Sequence, residues 1–141
     1  DNHGGEVDSS YLDLTALPSK PASSVIQIQD WLYGEGDMQD TASVPTVRRG
    51  ETITYENLDA DLLNGQWHTL TSCKAPCNLS TGIAYPLADG PVIFDSGELG
   101  TGGAPTAGRV TWTIPDDLEP GTYTYFCRIH PSMRGAFRVE Q

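Results

Sequence analysis

Short runs of alternating apolar and polar residues, separated by turns that contain glycine or proline, make up most of this 141-residue sequence. Alternation with a period of two is typical of half-buried β-strands, and no long stretch shows a helical period. The predicted strands are 25–33 (VIQIQDWLY), two segments around a turn at Gly50 in 45–58 (PTVRRGETITYENL), 66–72 (QWHTLTS), 109–115 (RVTWTIP), 121–127 (GTYTYFC) and 135–140 (GAFRVE). The region from 74 to 108 is rich in turn residues and is interrupted by the apolar run PVIFDSG at 91–97. Seven or eight strands of this kind predict an all-β fold, a Greek-key sandwich or barrel.

The chain has room for one domain with a single core. Residues 1–24 are polar, with Pro18 and Pro21 near their end, and we predict that they form an extension or tether. Residues 25–141 are then the folded domain. No apolar run approaches the roughly 20 residues of a membrane helix, and no secretory signal segment is present, so we expect that any signal peptide or anchor has been removed from this chain or never existed.

The net charge is −11, which argues against nucleic acid as a partner because nucleic-acid binders present clusters of lysine and arginine. Twelve acidic and three basic residues fall within residues 1–61, so most of the negative charge belongs to the first half of the chain.

Three cysteines give an odd count, so at least one of them is free, intermolecular or bound to another group. Cys73 and Cys77, in CKAPC, are close enough to form a disulfide, which would indicate an oxidising compartment. Cys127 is then the cysteine left over.

Cys127, His130 and Met133 follow one another at three-residue intervals in CRIHPSM, the predicted connection between two consecutive strands. A thiolate, an imidazole and a thioether are soft or borderline ligands, and this set suits copper far better than magnesium or calcium. Zinc is the alternative metal, although zinc does not use a methionine thioether as a ligand. A second imidazole must come from His3 or His68, and only His68 lies on a predicted strand.

These residues resemble those of the cupredoxins, the small blue copper proteins. The spacing in GTYTYFCRIHPSMRG is similar to that of the amicyanins and is tighter at the methionine than in the plastocyanins. The likeness covers roughly residues 25–141, including PTVRRGETITYENL, the isolated histidine of WHTLT and the closing GAFRV. The resemblance implies a type 1 copper site with His68, Cys127 and His130 as equatorial ligands and Met133 as the axial ligand.

The sequence departs from the family pattern at three places. Position 69 is Thr69, where many cupredoxins carry an asparagine that braces the ligand loop, so the hydrogen bonding around the ligands depends on this residue. The 74–108 region is long, and the CKAPC pair is not part of the minimal fold. These additions form either a cap or docking surface, or simply an elaborated loop.

The resemblance predicts an electron carrier that cycles between Cu(I) and Cu(II) and exchanges electrons through an exposed edge of His130. We expect no enzymatic activity, because protein ligands fill the coordination positions that a catalytic metal keeps open. The alternatives are a copper carrier or store without a dedicated redox partner, and a colourless zinc-stapled module. A copper oxidase or reductase module would need a second metal site, and the chain has too few spare histidines to form one.

The expected partner is a redox protein such as a c-type cytochrome or a copper or haem oxidoreductase. Arg128, Pro131 and Arg134 surround His130 in sequence and are the predicted docking residues, able to steer an acidic partner, while the acidic first half could attract a cationic one. We expect a monomer in an extracytoplasmic compartment, either periplasmic or secreted to the cell surface, with a membrane anchor as one option.

Overall fold

In the part of the chain that the structure describes, nine strands in two sheets form the framework. The computed structural model describes residues 14–39, 41–62, 66–72, 93–101, 108–130 and 132–141. The strands are β1 (Ser19–Pro21), β2 (Val25–Ile28), β3 (Val44–Arg48), β4 (Thr54–Asn57), β5 (Thr71–Ser72), β6 (Phe94–Asp95), β7 (Thr111–Thr113), β8 (Gly121–Phe126) and β9 (Arg134–Glu140). A 3₁₀ turn (Leu14–Ala16) and a single-turn helix α1 (Asp59–Leu62) complete the elements in these ranges. The all-β class predicted from the sequence is confirmed, with more strands than the seven or eight expected.

The larger sheet has six strands in the order β1-β3-β9-β8-β5-β6, and the smaller has three in the order β2-β4-β7. Strand β9 lies near the middle of the larger sheet, parallel to β3 and antiparallel to β8. The two segments predicted around Gly50 are β3 and β4, and they belong to different sheets. Gly50 has a φ of 92°, a conformation that favours glycine, so the turn there carries the chain from one sheet to the other.

The strand predicted over residues 25–33 ends much earlier, at Ile28. Asp30 and Trp31 have φ angles of 56° and 65°, so both central residues of a tight turn are left-handed. Gln29 and Leu32 exchange backbone hydrogen bonds across this turn, at 3.0 and 3.1 Å. Two positive φ values in succession are the signature of a type I′ turn, and the chain therefore doubles back where the alternating pattern predicted a continuing strand.

The main core lies between the two sheets. Ile26 and Tyr55 project into it from the smaller sheet, and Tyr125 and Phe137 from the larger. Burying each large apolar side chain contributes roughly 1.5–3 kcal/mol. The core also contains polar atoms that find partners, because the Tyr55 and Tyr125 hydroxyl groups lie 3.1 Å apart. Burial raises the pKa of both tyrosines, so the core holds them as neutral phenols.

Residues on the N-terminal side of β2 also pack against the larger sheet. Leu14 is fully buried in a small cluster with Val44 and Ala136, and β1 pairs with β3 in parallel. The packed part of the described chain therefore begins at Leu14, ahead of the boundary predicted at residues 24 and 25. In the described ranges, no helix is long and apolar enough to cross a membrane.

Candidate metal centre

Three of the predicted ligands meet at one point of the structure. The Cys127 Sγ atom lies 3.7 Å from His130 Nδ1 and 3.9 Å from His68 Nδ1, and the two Nδ1 atoms are 3.3 Å apart. These residues form a group whose ligand atoms all lie within 4.8 Å of one another. An ion about 2.0–2.3 Å from each atom, in their plane, needs separations of roughly 3.5–3.8 Å. The triangle therefore fits one metal ion.

The loop that connects β8 to β9 supplies Cys127 and His130. The Cys127 N–H donates to the Met133 carbonyl at 3.1 Å, and the Met133 N–H donates to the His130 carbonyl at 2.8 Å. These backbone bonds close the loop on itself. The Met133 side chain is only 3% exposed and belongs to the same buried cluster as Cys127, so the loop ends by returning to the core.

His68 comes from a different part of the chain and is fully buried. The strand predicted over 66–72 is shorter in the structure, where β5 contains only Thr71 and Ser72. His68 instead forms an isolated bridge with Leu99, with backbone hydrogen bonds of 3.2 and 2.8 Å. This bridge fixes the His68 backbone as a strand would.

Asp59, at the start of α1, is the fixed partner of the other nitrogen of His68. Its Oδ2 atom lies 2.8 Å from His68 Nε2, and both side chains are fully buried. A carboxylate only accepts hydrogen bonds, so the imidazole carries its proton on Nε2 and leaves the Nδ1 lone pair toward Cys127. Asp59 was not among the residues predicted from the sequence.

Burial sets the protonation of the three ligand residues. It lowers the pKa of His68, against the opposing effect of Asp59, and it lowers the pKa of His130 to about 4 with a contribution from the neighbouring His68. Burial also raises the pKa of the Cys127 thiol, although backbone hydrogen bonds at Thr69 oppose this. At neutral pH both imidazoles are neutral and can bind a metal, whereas Cys127 is a thiol that must lose its proton to do so.

Thr69 joins the strand side of the site to the ligand loop. Its backbone N–H points to Cys127 Sγ at 3.4 Å, and its Oγ1 atom accepts a hydrogen bond from the Arg128 N–H at 2.9 Å. The Tyr33 hydroxyl donates to the Thr69 carbonyl. Thr69 therefore contacts the loop through both its backbone and its side chain.

Trp31 covers the two histidines and was also missed from the sequence. Its ring lies edge-on to His130, with centroids 4.3 Å apart, and edge-on to His68 at 5.5 Å. The indole is 39% exposed. It therefore separates part of the site from solvent while remaining accessible itself.

The predicted docking residues have different surroundings. Arg128 forms ion pairs with Asp95 at 3.0 Å and Glu98 at 3.1 Å, and its side chain is mostly buried. Arg134 is half-buried at the start of β9, and burial lowers its pKa. Pro131 lies outside the described residues, as do the predicted disulfide partners Cys73 and Cys77 and the alternative ligand His3.

Comparison with known proteins supports the fold. No protein-family model and no curated protein matches the chain. Among solved structures, a methionine-to-glutamine variant of amicyanin in the Cu(I) form is similar, with 21% identity, a TM-score of 0.51, and coverage of 82% of this chain and 80% of that one. A methionine-to-alanine Cu(I) variant of amicyanin has 20% identity, and a reduced tryptophan-to-tyrosine variant has 21%; each has a TM-score of 0.51 and 94% coverage of both chains. At this level of identity the likeness shows the fold, and the cupredoxin fold expected from the sequence is confirmed.

Proposed function

We propose that the protein is a one-electron carrier with a single type 1 copper ion. His68, Cys127, His130 and Met133 would hold the ion. The observation that supports this most directly is the triangle of Cys127 Sγ and the two Nδ1 atoms, with sides of 3.3, 3.7 and 3.9 Å.

The chemistry of the donors favours copper. Two imidazoles, one thiolate and a nearby thioether are the set that type 1 copper sites use, whereas zinc sites gain nothing from a thioether. The amicyanin structures with a similar fold include Cu(I) forms, which agrees with copper in this chain. A zinc-loaded site would be colourless and would not exchange electrons.

The rigidity of the site favours electron transfer over catalysis. When bound, copper would supply the exchange of a single electron between Cu(II) and Cu(I). The proposed ligands are held by the backbone bonds that join Met133 to Cys127 and His130, by the His68 bridge and by the Asp59 carboxylate. Preformed ligands change little between the two oxidation states, which makes electron exchange fast, and four protein ligands would leave no open position for a substrate.

His130 is the ligand through which electrons would pass to and from a partner. It is only partly buried, while His68 and Cys127 are fully buried, so it lies closest to solvent. The partner would be a c-type cytochrome or a copper or haem oxidoreductase. Arg128, Pro131 and Arg134 remain the proposed docking residues, although Arg128 would present its charge together with those of two carboxylates.

We further propose that the carrier is a monomer and that it is extracytoplasmic, either periplasmic or at the cell surface. A membrane tether is one way in which it could be anchored there. A Cys73–Cys77 disulfide would suit such an oxidising compartment. The acidic first half of the chain would attract a cationic partner.

Optical and EPR spectra of the protein with one equivalent of Cu(II) test this function. We expect an intense visible thiolate-to-copper band with unusually small hyperfine splitting, both lost in Cys127→Ser. The double variant Cys73→Ser/Cys77→Ser is the matched control and should keep both signals. A pale, ordinary tetragonal Cu(II) signal that persists in Cys127→Ser would contradict the proposal and favour a copper carrier or store.

A further inference from the structure

The carboxylate of Asp59 joins two parts of the structure that are distant in sequence. Oδ2 accepts a hydrogen bond from His68 Nε2 at 2.8 Å and another from the Trp31 N–H at 3.0 Å. Oδ1 accepts one from the Asp30 N–H at 2.8 Å. Asp59 is fully buried, and a buried carboxylate is costly unless it is satisfied in this way. The three donors therefore account for its position.

The turn that supplies two of these donors is itself unusual. Asp30 and Trp31 both adopt positive φ angles, of 56° and 65°, which bulky residues without the freedom of glycine rarely take. In this conformation the two successive N–H groups point at the same carboxylate. Strained backbone of this kind persists only where surrounding structure over-determines it, and Asp59 provides that constraint.

The turn also determines where the Trp31 side chain lies. The indole packs edge-on against His130 and His68, with centroid distances of 4.3 and 5.5 Å. One carboxylate thus fixes the orientation of the buried His68 and of the aromatic ring that packs against the partly buried His130.

We propose that Asp59 is the positioning residue of this centre, and the proposal rests on the copper site proposed above. Its hydrogen bond keeps His68 Nδ1 directed at the metal, and its bonds to the turn hold Trp31 over His130. Its negative charge, desolvated beside a ligand, stabilises Cu(II) relative to Cu(I) and so lowers the reduction potential.

Asp59→Asn tests the proposal because it removes the charge with little change of shape. We expect the ratio of Cu(I) to Cu(II) affinity to increase about tenfold, which raises the potential of this one-electron couple by about 59 mV. Cu(II) affinity should fall about 10- to 100-fold, as is typical when a partner of a ligand histidine is lost. Asp59→Glu, which keeps the charge, should recover part of the shift.

Asp37→Asn is the matched control, since Asp37 is another buried carboxylate, 2% exposed, that accepts backbone hydrogen bonds from Tyr33 and Gln39. Its substitution should destabilise the fold without a comparable change in the affinity ratio. Equal potentials for Asp59→Asn and the wild type would overturn the proposal, as would an equal shift in Asp37→Asn.

Measurements on the metal-free wild type separate this proposal from the copper function. Nitrogen NMR should show His68 protonated on Nε2, and the amide hydrogens of Asp30 and Trp31 should exchange slowly with solvent. In Asp59→Asn those two amides should exchange faster. A His68 protonated on Nδ1, or rapid exchange of both amides in the wild type, would overturn the role of Asp59. Failure of the wild type to form the thiolate-to-copper band would instead overturn the copper function.

Discussion

The indole of Trp31 lies edge-on to the imidazole of His130, with ring centroids 4.3 Å apart and planes at 83°. Edge-to-face pairs of this kind contribute about 0.5–1.5 kcal/mol beyond the area that they bury. Because the indole is 39% exposed while His130 is partly buried, any partner that approaches His130 from this side meets Trp31 first.

Trp31→Ala is therefore expected to expose His130 and to speed the oxidation of the reduced protein by a small inorganic complex such as hexacyanoferrate. Trp31→Phe should retain most of the wild-type rate because it keeps an aromatic ring in place. Stopped-flow absorbance of the thiolate-to-copper band measures these rates, with Ile93→Ala as an exposed apolar control. An unchanged rate in Trp31→Ala would show that the indole does not limit access.

The Thr69 hydroxyl should contribute both to stability and to the geometry of the ligand loop. It accepts a hydrogen bond from the Arg128 N–H and lies 2.9 Å from the Thr71 hydroxyl. Thr69→Ala removes the acceptor of the Arg128 N–H, while the Thr71 hydroxyl keeps its hydrogen bond to Asp95, so the free energy of unfolding should fall by about 1–3 kcal/mol. Thr69→Ser should restore most of it. Urea unfolding of the metal-free protein measures these free energies. Equal losses in Thr69→Ala and Thr69→Ser would mean that the γ-methyl group of Thr69, and not its hydroxyl, is responsible.

Arg128 is expected to be a structural residue whatever its part in docking. Its ion pairs with Asp95 and Glu98 are largely buried, and hydrogen bonds between charged groups contribute about 1.5–3 kcal/mol. Arg128→Gln should lower the free energy of unfolding by that amount. Arg49→Gln, which breaks an exposed pair with Glu119, should cost less than about 1 kcal/mol. Similar losses in the two variants would contradict the structural role.

The stability of the metal-free protein should fall as the pH is lowered from about 6.5 to about 4. Burial lowers the pKa of His130 to about 4 and that of His68 below its usual value of 6.5. Below pH 6.5 the unfolded chain therefore binds protons that the folded protein does not, and protonation favours unfolding. Urea midpoints measured against pH with a chelator present should show this loss, with a shallower slope in His130→Gln. Identical slopes would exclude His130 as a source.

A thiol titration tests the predicted disulfide. The denatured, unreduced protein should react with one equivalent of Ellman's reagent, and with three after reduction, because only Cys127 would be free. Cys127→Ser should give none before reduction and two after it. Three reactive thiols in the unreduced wild type would show that Cys73 and Cys77 are not paired.

The C-terminal half of the fold was largely predictable from local pattern. Strands β8 and β9 follow the alternating segments at 121–127 and 135–140 closely, and the loop between them contains ligands at fixed spacing. The pairing of β3 with β9 was not predictable, because it joins residues about ninety positions apart and leaves no local signal. The turn at Asp30 and Trp31 was missed because a tryptophan stands at the second central position, where such turns usually have a glycine.

The residues around the proposed ligands were harder to predict than the proposed ligands themselves. A cysteine, a histidine and a methionine at regular spacing carry specific chemistry, whereas Asp59 is one of nineteen acidic residues. Only the short pattern from Asn57 to Asp59 marks its place, since the Asn57 side chain accepts a hydrogen bond from the Asp59 N–H where α1 begins. Its approach to His68 depends on how the intervening loop folds, which spacing alone does not reveal.

The central position of β9 has a consequence for how the protein is made. This strand lies between β3 and β8, so the larger sheet stays divided until residues 134–140 have left the ribosome. The loop with Cys127, His130 and Met133 comes immediately before it. A nascent chain therefore cannot assemble the metal site step by step during synthesis, and long-range pairing of this kind folds slowly. Capture of the proposed metal ion would then be a late event, after β9 has been translated.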